Sequence, residues 1–335
     1  MPAVLRAWPI PGLHLAIPAK YVRQFLVVTL LSIVFYGVSA VWGGVDEVWS
    51  SLVRIGWQGW AIILGLSLFN YSLRFIRWDY YLRELKYRVP VMANLSAYLA
   101  GFAFTTTPGK VGEAVRSFYL KPHDVGYVHS LAALFVERLV DLIAMILVAS
   151  LAAYAFEDMR WVVVVVLIAA VAIVPLMHSQ ALHRRLDSLR FGFRSQRLRD
   201  LGGHLVSMLQ TSSSLLRSGP LYYGLLLGLI AWAAEGYALY VVLDRLGADA
   251  DIWYATGVYG IGILAGAVSF VPGGLGSTEL AMGSLLILGG VETSMAVAAV
   301  IICRLATLWF AVLIGLVVVL KLEFLSNHDG LANDH

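Results

Sequence analysis

The chain has 335 residues, of which 60% are hydrophobic and 13% charged, with a mean hydropathy of +0.79, far from the balance of a water-soluble domain. Lys and Arg total 24 against 21 Asp and Glu, a net charge of only +3, which argues against a nucleic-acid binder. Apolar runs recur from near the N-terminus to residue 320, leaving no place for a separate soluble domain, so the chain reads as one all-α polytopic membrane domain.

In chain order, residues 1–20 hold Pro2, Pro9, Pro11 and Pro18 and form an N-terminal segment. The run at 24–42 is too long for a signal-peptide core and lacks a clear small-residue cleavage site, so it reads as a retained first span. Five further segments have the length and hydropathy to cross: 57–75, 129–154, 161–177, 220–243 and 294–320. Two more apolar regions are split by Pro-Gly elements: 92–120 at Pro108 and Gly109, and 252–290 at Pro272, Gly273 and Gly274. The arms of the first, about 16 and about 10 residues, are too short to span, which predicts a re-entrant hairpin. The second is either a hairpin or two crossings, and both leave the chain on the same side. Cys303 lies in an apolar segment and reads as a small packed hydrophobe.

Basic residues set the orientation. With the N-terminus inside, the inner face or its interface receives Arg6, Lys20, Arg23, Arg74, Arg77, Arg83, Lys86, Arg88, Lys110, Arg116, Lys121, Arg184, Arg185, Arg190, Arg194, Arg197, Arg199, Arg217 and Lys321. Only Arg54, Arg160 and Arg245 fall outside, with Asp46, Glu47, Glu157, Asp158, Asp244, Asp249 and Asp251. Both termini are expected in the cytoplasm. The basic stretch 178–219 carries Leu182, Leu186, Leu189, Phe191 and Phe193; it reads as an ordinary positive-inside loop with an apolar face that meets the inner leaflet.

The chain also matches itself. Pro108-Gly109-Lys110-Val111-Gly112-Glu113 aligns with Pro272-Gly273-Gly274-Leu275-Gly276, two inserted residues, then Glu279. From there the register holds: Glu113 to Arg138 and Glu279 to Arg304 are both 25 residues apart, and LAALFVERL at 131–139 aligns without gaps with VAAVIICRL at 297–305. On the assigned topology the two elements enter from opposite sides, so a first repeat at about 21–155 and a second at about 161–320 are inverted, as in many secondary transporters. The expected architecture is six full spans and two Pro-Gly hairpins in a single domain at 21–322, with a tail at 323–335.

An ionisable group near the bilayer centre costs about 2.5–3.5 kcal/mol on insertion scales, so it faces protein or a wet cavity. Arg138, Arg304, Glu137, Asp141 and Glu235 fall in predicted spans, and Glu113 and Glu279 follow the hairpin tips. Backbone N–H groups at the tips, around Gly109, Gly112, Gly273, Gly274 and Gly276, offer an anion site of the helix N-terminal kind, and Arg138 and Arg304 would add bidentate recognition of phosphate, with Lys110 at the cytoplasmic mouth. Glu113, Glu137, Asp141, Glu235 and Glu279 would balance those charges or carry a coupling proton. The plainer alternative pairs the arginines with these carboxylates solely to pin the hairpins. Gly262-xxx-Gly266 reads as close helix packing, and Thr105, Thr106 and Thr107 as groups that satisfy backbone near a break. The histidines have no metal-ligand spacing within a span, Gly109-Lys110 is followed by Val111 rather than Ser or Thr, and no nucleophile elbow occurs. No cofactor, metal or enzymatic activity is expected.

LRFIRWDYYL at 73–82, PGKVGEAVR at 108–116, ERLVD at 137–141, PGGLGSTE at 272–279 and CRL at 303–305 resemble the lysylphosphatidylglycerol-synthase transmembrane region, or flippase-like family, over about residues 20–322. The resemblance implies a protein of the cell (cytoplasmic) membrane that moves a lipid between leaflets by alternating access. The substrate implied is an anionic or aminoacylated phospholipid or a polyprenyl-phosphate-linked lipid. Bifunctional members carry a soluble aminoacyltransferase domain that this sequence lacks, so synthesis of lysylphosphatidylglycerol is not expected of it. A membrane lipid is thus the expected partner, together with another copy of the chain or a lipid-biosynthesis enzyme. The alternative function is that of a non-catalytic membrane subunit for a lipid or glycan biosynthetic enzyme; an intramembrane enzyme acting on a polyprenyl lipid is the weakest reading, since no residue set would carry it.

Overall fold

Long apolar runs satisfy their backbone groups internally as helix, and no strand occurs among the described residues of the computed structural model, which are 44–152, 160–179, 184–185, 188 and 196–332. The predicted first span at 24–42, residues 1–20, the apolar residues Leu182, Leu186, Leu189, Phe191 and Phe193, and the end of the tail lie outside them. The helices are α1 (Val45–Arg54), α2 (Gly56–Glu84), α3 (Val91–Phe102), α4 (Arg116–Leu120), α5 (Tyr127–Ala149), α6 (Arg160–His178), α7 (Gln196–Leu215), α8 (Ser218–Leu246), α9 (Ile252–Val268), α10 (Ser277–Leu288), α11 (Thr293–Arg304) and α12 (Phe310–Ala332). Short 3-10 segments lie at Pro108–Val115, Lys121–His123 and Pro272–Gly274, and a π-helical turn, Leu305–Trp309, joins α11 to α12.

Three stretches among the described residues are long and apolar enough to cross a membrane: α2 and α8, at 29 residues each, and the 31 residues Thr293–Glu323 through α11 and α12. At 1.5 Å per residue, α2 and α8 run about 44 Å against a hydrocarbon core of about 30 Å. Helices α5 and α6 occupy the segments predicted at 129–154 and 161–177. By contrast α3 and α10, with 12 residues each, reach only about 18 Å.

Both broken regions break where Pro and Gly stand. Thr107 is extended (φ −76°, ψ 152°) before Pro108, the conformation that a following proline imposes. Val271 is extended in the same way before Pro272, and Gly273, Gly274 and Gly276 then take positive φ of 65°, 65° and 83°, which a Cβ would disfavour. Each broken region folds back on itself, α3 against α4 and α9 against α10. Gly262 and Gly266 form the tight seam of the second pair, as their spacing predicted: a Cβ on Gly262 would stand 2.3 Å from Met282, and one on Gly266 2.1 Å from Thr278.

Packing between elements is reciprocal. Helices α2 and α8 lie side by side; α3 packs on α12 while α9 packs on α5; α1 packs on α11 while α7 packs on α5. The helix α7 within the basic stretch therefore buries Val206, Ser212 and Leu215 against the protein and leaves Leu201 and Leu205 exposed. Leu313, Val317 and Leu320 on α12, and Leu68, Phe69 and Ile76 on α2, point outward, the apolar exterior suited to lipid rather than water.

Candidate functional site

One face of α2 carries Asn70, Tyr71, Arg74, Arg77, Trp78 and Tyr81, spaced at helical intervals and all buried. Opposite, α5 presents Glu137, Arg138 and Asp141, and the end of the first break contributes Glu113 and Arg116. The result is a buried network of four arginines and three carboxylates among the described residues.

Glu137 is its hub. Its Oε2 accepts from Arg116 Nη1 at 2.8 Å and its Oε1 from Arg138 Nη2 at 2.9 Å, with Arg74 Nη2 at 3.4 Å and the Tyr98 hydroxyl at 3.3 Å. Asp141 Oδ1 accepts from Arg77 Nη2 at 2.6 Å and from the Trp232 indole at 3.0 Å, and its Oδ2 lies 3.3 Å from Arg138 Nη2. Glu113 accepts from Arg116 Nη2 at 2.7 Å and from Thr105 Oγ1 at 3.0 Å, and Arg138 stands 3.5 Å away. The Arg116 guanidinium also lies 4.6 Å from the Trp78 ring and 4.5 Å from the Tyr98 ring, where cation–π attraction offsets part of its desolvation.

The second break builds a smaller counterpart. Arg304 Nε donates to Glu279 Oε1 at 2.8 Å and its Nη2 to the Gly273 carbonyl at 2.6 Å. The two pairs that the repeated register singled out, Glu113 with Arg138 and Glu279 with Arg304, are therefore both neighbours in space. Glu235, on α8, accepts from the Tyr259 hydroxyl of α9.

Between the two networks lies a cavity of about 50 Å³, lined among others by Arg74, Thr105, Trp232, Glu235, Tyr259 and Arg304, with room for one or two waters. The two breaks meet beside it: a Cβ on Gly273 would stand 3.5 Å from both Thr106 and Leu308.

The structure adds detail to three expectations. Arg74, Arg77 and Arg116, counted at the inner face or its interface, are at most 6% exposed and sit in the network; a count along the sequence does not tell a basic span end from a polar helix face. Arg138 belongs to the network but is not among the residues that line the cavity, where Arg74 stands with Arg304. The backbone N–H groups of the breaks are also largely taken. Gly112 donates to Thr107 Oγ1 at 2.7 Å, Gly276 to Glu279 Oε2 at 2.8 Å and Gly274 to the Val271 carbonyl at 2.9 Å, because side chains and turns of the chain itself cap the exposed donors. Gly109 lies in the 3-10 segment; the side-chain placement of Lys110 lies outside the described residues. Trp78, Tyr98, Trp232 and Tyr259 were missed, since aromatic residues in an apolar run carry no sequence signal of a polar partner. No metal-binding group of His, Cys, Asp and Glu occurs among the described residues.

The profile of the lysylphosphatidylglycerol synthase transmembrane region matches residues 25–315, which include both breaks and every residue of both networks. The chain belongs to that family. A membrane protein of the UPF0104 group from Pyrococcus horikoshii is 24% identical over 331 residues, 90% of this chain and 97% of that one. Another from Methanothermobacter thermautotrophicus is 23% identical over 301 residues, 85% and 90% of the two chains. The phosphatidylglycerol lysyltransferase of Bacillus subtilis is 32% identical over 101 residues, 29% of this chain and 11% of that protein. This member of the family is accordingly a membrane protein, and its arginine networks sit inside the region that the family shares.

Proposed function

We propose that the protein is a lipid flippase, which moves a phospholipid with an anionic or aminoacylated headgroup, or a polyprenyl-phosphate-linked lipid, between leaflets of the cell membrane by alternating access. The observation that carries this reading is the cavity between the two breaks, where guanidinium groups from both networks, Arg74 and Arg304, face one space. Arginine is suited to phosphate because its planar donors match the oxygen geometry. The acyl chains stay in the bilayer while the headgroup passes.

The reciprocal packing supports an inverted-repeat architecture, and the distribution of basic residues along the sequence favours both termini in the cytoplasm. Each short arm packs on the long element of the other half, α3 on α12 and α9 on α5, as expected when one repeat rocks against the other around a fixed midplane site. In this reading α3 and α10 are arms of re-entrant hairpins. The partial match to a phosphatidylglycerol lysyltransferase favours a phospholipid of that class over a polyprenyl lipid. The protein itself catalyses no bond change.

The test is leaflet exchange of fluorescent phosphatidylglycerol, lysylphosphatidylglycerol and polyprenyl phosphate in proteoliposomes. Arg74→Ala and Arg304→Ala are each expected to slow exchange of the true substrate about 10- to 100-fold, the loss of a charge-assisted hydrogen bond of about 1.5–3 kcal/mol. Arg83→Ala, whose side chain is 61% exposed and pairs with Asp79, is expected to leave it unchanged. Normal exchange by folded Arg74→Ala and Arg304→Ala proteins would remove the site assignment. Absence of exchange by the wild type, with a lipid-synthesis enzyme stably copurifying, would favour a partner subunit instead.

A further inference from the structure

We propose that Glu235 is the site of a coupling proton, so that one proton enters the cavity with each anionic headgroup; this rests on the flippase reading and adds its energy source. Glu235 lies near the middle of the 29-residue α8 and is 3% exposed. Among the described residues lining the cavity it alone carries a carboxylate, and it shares that wall with Arg74 and Arg304.

The groups around it come from every neighbouring element. Helix α2 brings Tyr71 and Arg74, α9 brings Tyr259, and α11 brings Cys303 and Arg304. Helix α10 brings Glu279 behind Arg304, and α5 brings Asp141 behind Trp232, with Glu137 deeper in the first network. Glu113, Glu137, Asp141 and Glu279 each lie within 2.8 Å of an arginine and none of them lines the cavity. Glu235, which accepts from the Tyr259 hydroxyl, is the carboxylate in the cavity wall itself.

Once the halves part and the cavity widens beyond its one or two waters, a phosphodiester drawn to Arg74 and Arg304 arrives beside the Glu235 carboxylate. Two negative charges in one low-dielectric cavity repel strongly. A proton on the carboxylate oxygen removes that repulsion, forming one O–H bond and leaving the phosphodiester chemically unchanged. Headgroup and proton then strengthen each other's binding by the same factor, since linkage is reciprocal. The sign follows: headgroup affinity is highest at low pH and falls as pH rises, and a pH gradient drives lipid away from the acidic side.

The experiment titrates the full chain in detergent micelles with dihexanoyl phosphatidylglycerol, by calorimetry in two buffers of different ionisation enthalpy. The wild type is expected to take up close to one proton per headgroup. Its affinity should weaken by close to tenfold per pH unit over the range where that uptake occurs, to a total of about 100-fold or more, the upper end of such couplings. Glu235→Gln should bind with no uptake and no pH dependence, at the affinity that the wild type reaches in acid, whereas Glu235→Asp should keep the uptake. In proteoliposomes a pH gradient should bias the leaflet distribution of fluorescent phosphatidylglycerol for the wild type and not for Glu235→Gln. Binding by the wild type without proton uptake overturns the proposal whether or not the variants fold. Exchange that ignores the gradient overturns the proton and leaves the flippase; a wild type that neither binds nor exchanges any of the lipids overturns both.

Discussion

Glu137 is fully buried and accepts hydrogen bonds from arginines on α4 and α5 at 2.8 and 2.9 Å, with a third on α2 at 3.4 Å. Removing a single charge from such a network leaves its partners buried and uncompensated, which costs about 3–5 kcal/mol where it has been measured in buried pairs. Glu137→Gln keeps the shape and loses the charge. It is expected to lower the midpoint of thermal unfolding in detergent by several degrees, while Glu84→Gln, at an exposed position, leaves it unchanged; equal midpoints would mean that the network contributes little to the fold. At this scale the sequence was a partial guide. Glu137, Arg138 and Asp141 stood out as ionisable groups inside a span, and Glu113 through its register with Glu279. Arg74 and Arg77 did not, because they lie near the end of a long apolar run that continues into the basic segment Arg83, Lys86 and Arg88. Only the helical face they share with Asn70, Tyr71 and Trp78 marks them as buried.

Some of the closest helix contacts are made by helices too short to span. Helices α3 and α9 approach their partners so closely that the contacts have no room for a Cβ. One on Gly315 of α12 would stand 2.2 Å from the backbone nitrogen of Ala103, and one on Gly257 of α9 2.1 Å from that of Ala152. Small residues at these crossings let helix backbones meet, where packing rather than the hydrophobic effect holds helices together in lipid. Gly315→Ala and Gly257→Ala are therefore each expected to destabilise the protein and reduce its yield as a single species on size-exclusion chromatography. Gly283→Ala on α10, where a Cβ meets open space, should be neutral or slightly stabilising, since Ala gains about 0.5–1 kcal/mol over Gly within a helix. If all three behave alike, the close crossings do not control assembly. The breaks themselves were legible: Pro108 and the Pro272-Gly273-Gly274 run stop the helices where their backbone chemistry requires. The capping of the freed N–H groups by Thr107 and Glu279 was not, because a capping side chain is recognised only when its helix start is known.

Across the whole molecule, the two breaks meet at Thr106 and Gly273, beside the cavity. A Cβ at residue 273 would lie 3.5 Å from the Thr106 Cγ2 and 3.6 Å from its Cα, in contact with that residue although strained by the positive φ there. In a Cys303→Ala background, Thr106→Cys with Gly273→Cys should crosslink on oxidation. If the halves separate at this point when the cavity opens, lipid exchange stops in the oxidised protein and returns on reduction. Full exchange by the crosslinked protein would mean that opening occurs elsewhere.

Composition alone placed the chain in a membrane, because 60% hydrophobic residues in runs of span length cannot be hidden in a soluble core of this size. Periodicity and proline placement marked the helices and both breaks, since these depend on neighbours close in sequence. The register of Glu113 with Arg138 and of Glu279 with Arg304 indicated which charges belong together. What only the tertiary structure decided was which charges share a space: Arg74 rather than Arg138 faces Arg304 across the cavity, with Glu235 between the networks. Those residues lie more than 60 positions apart along the chain, and their meeting depends on helix rotation and crossing, which packing sets and local sequence does not encode.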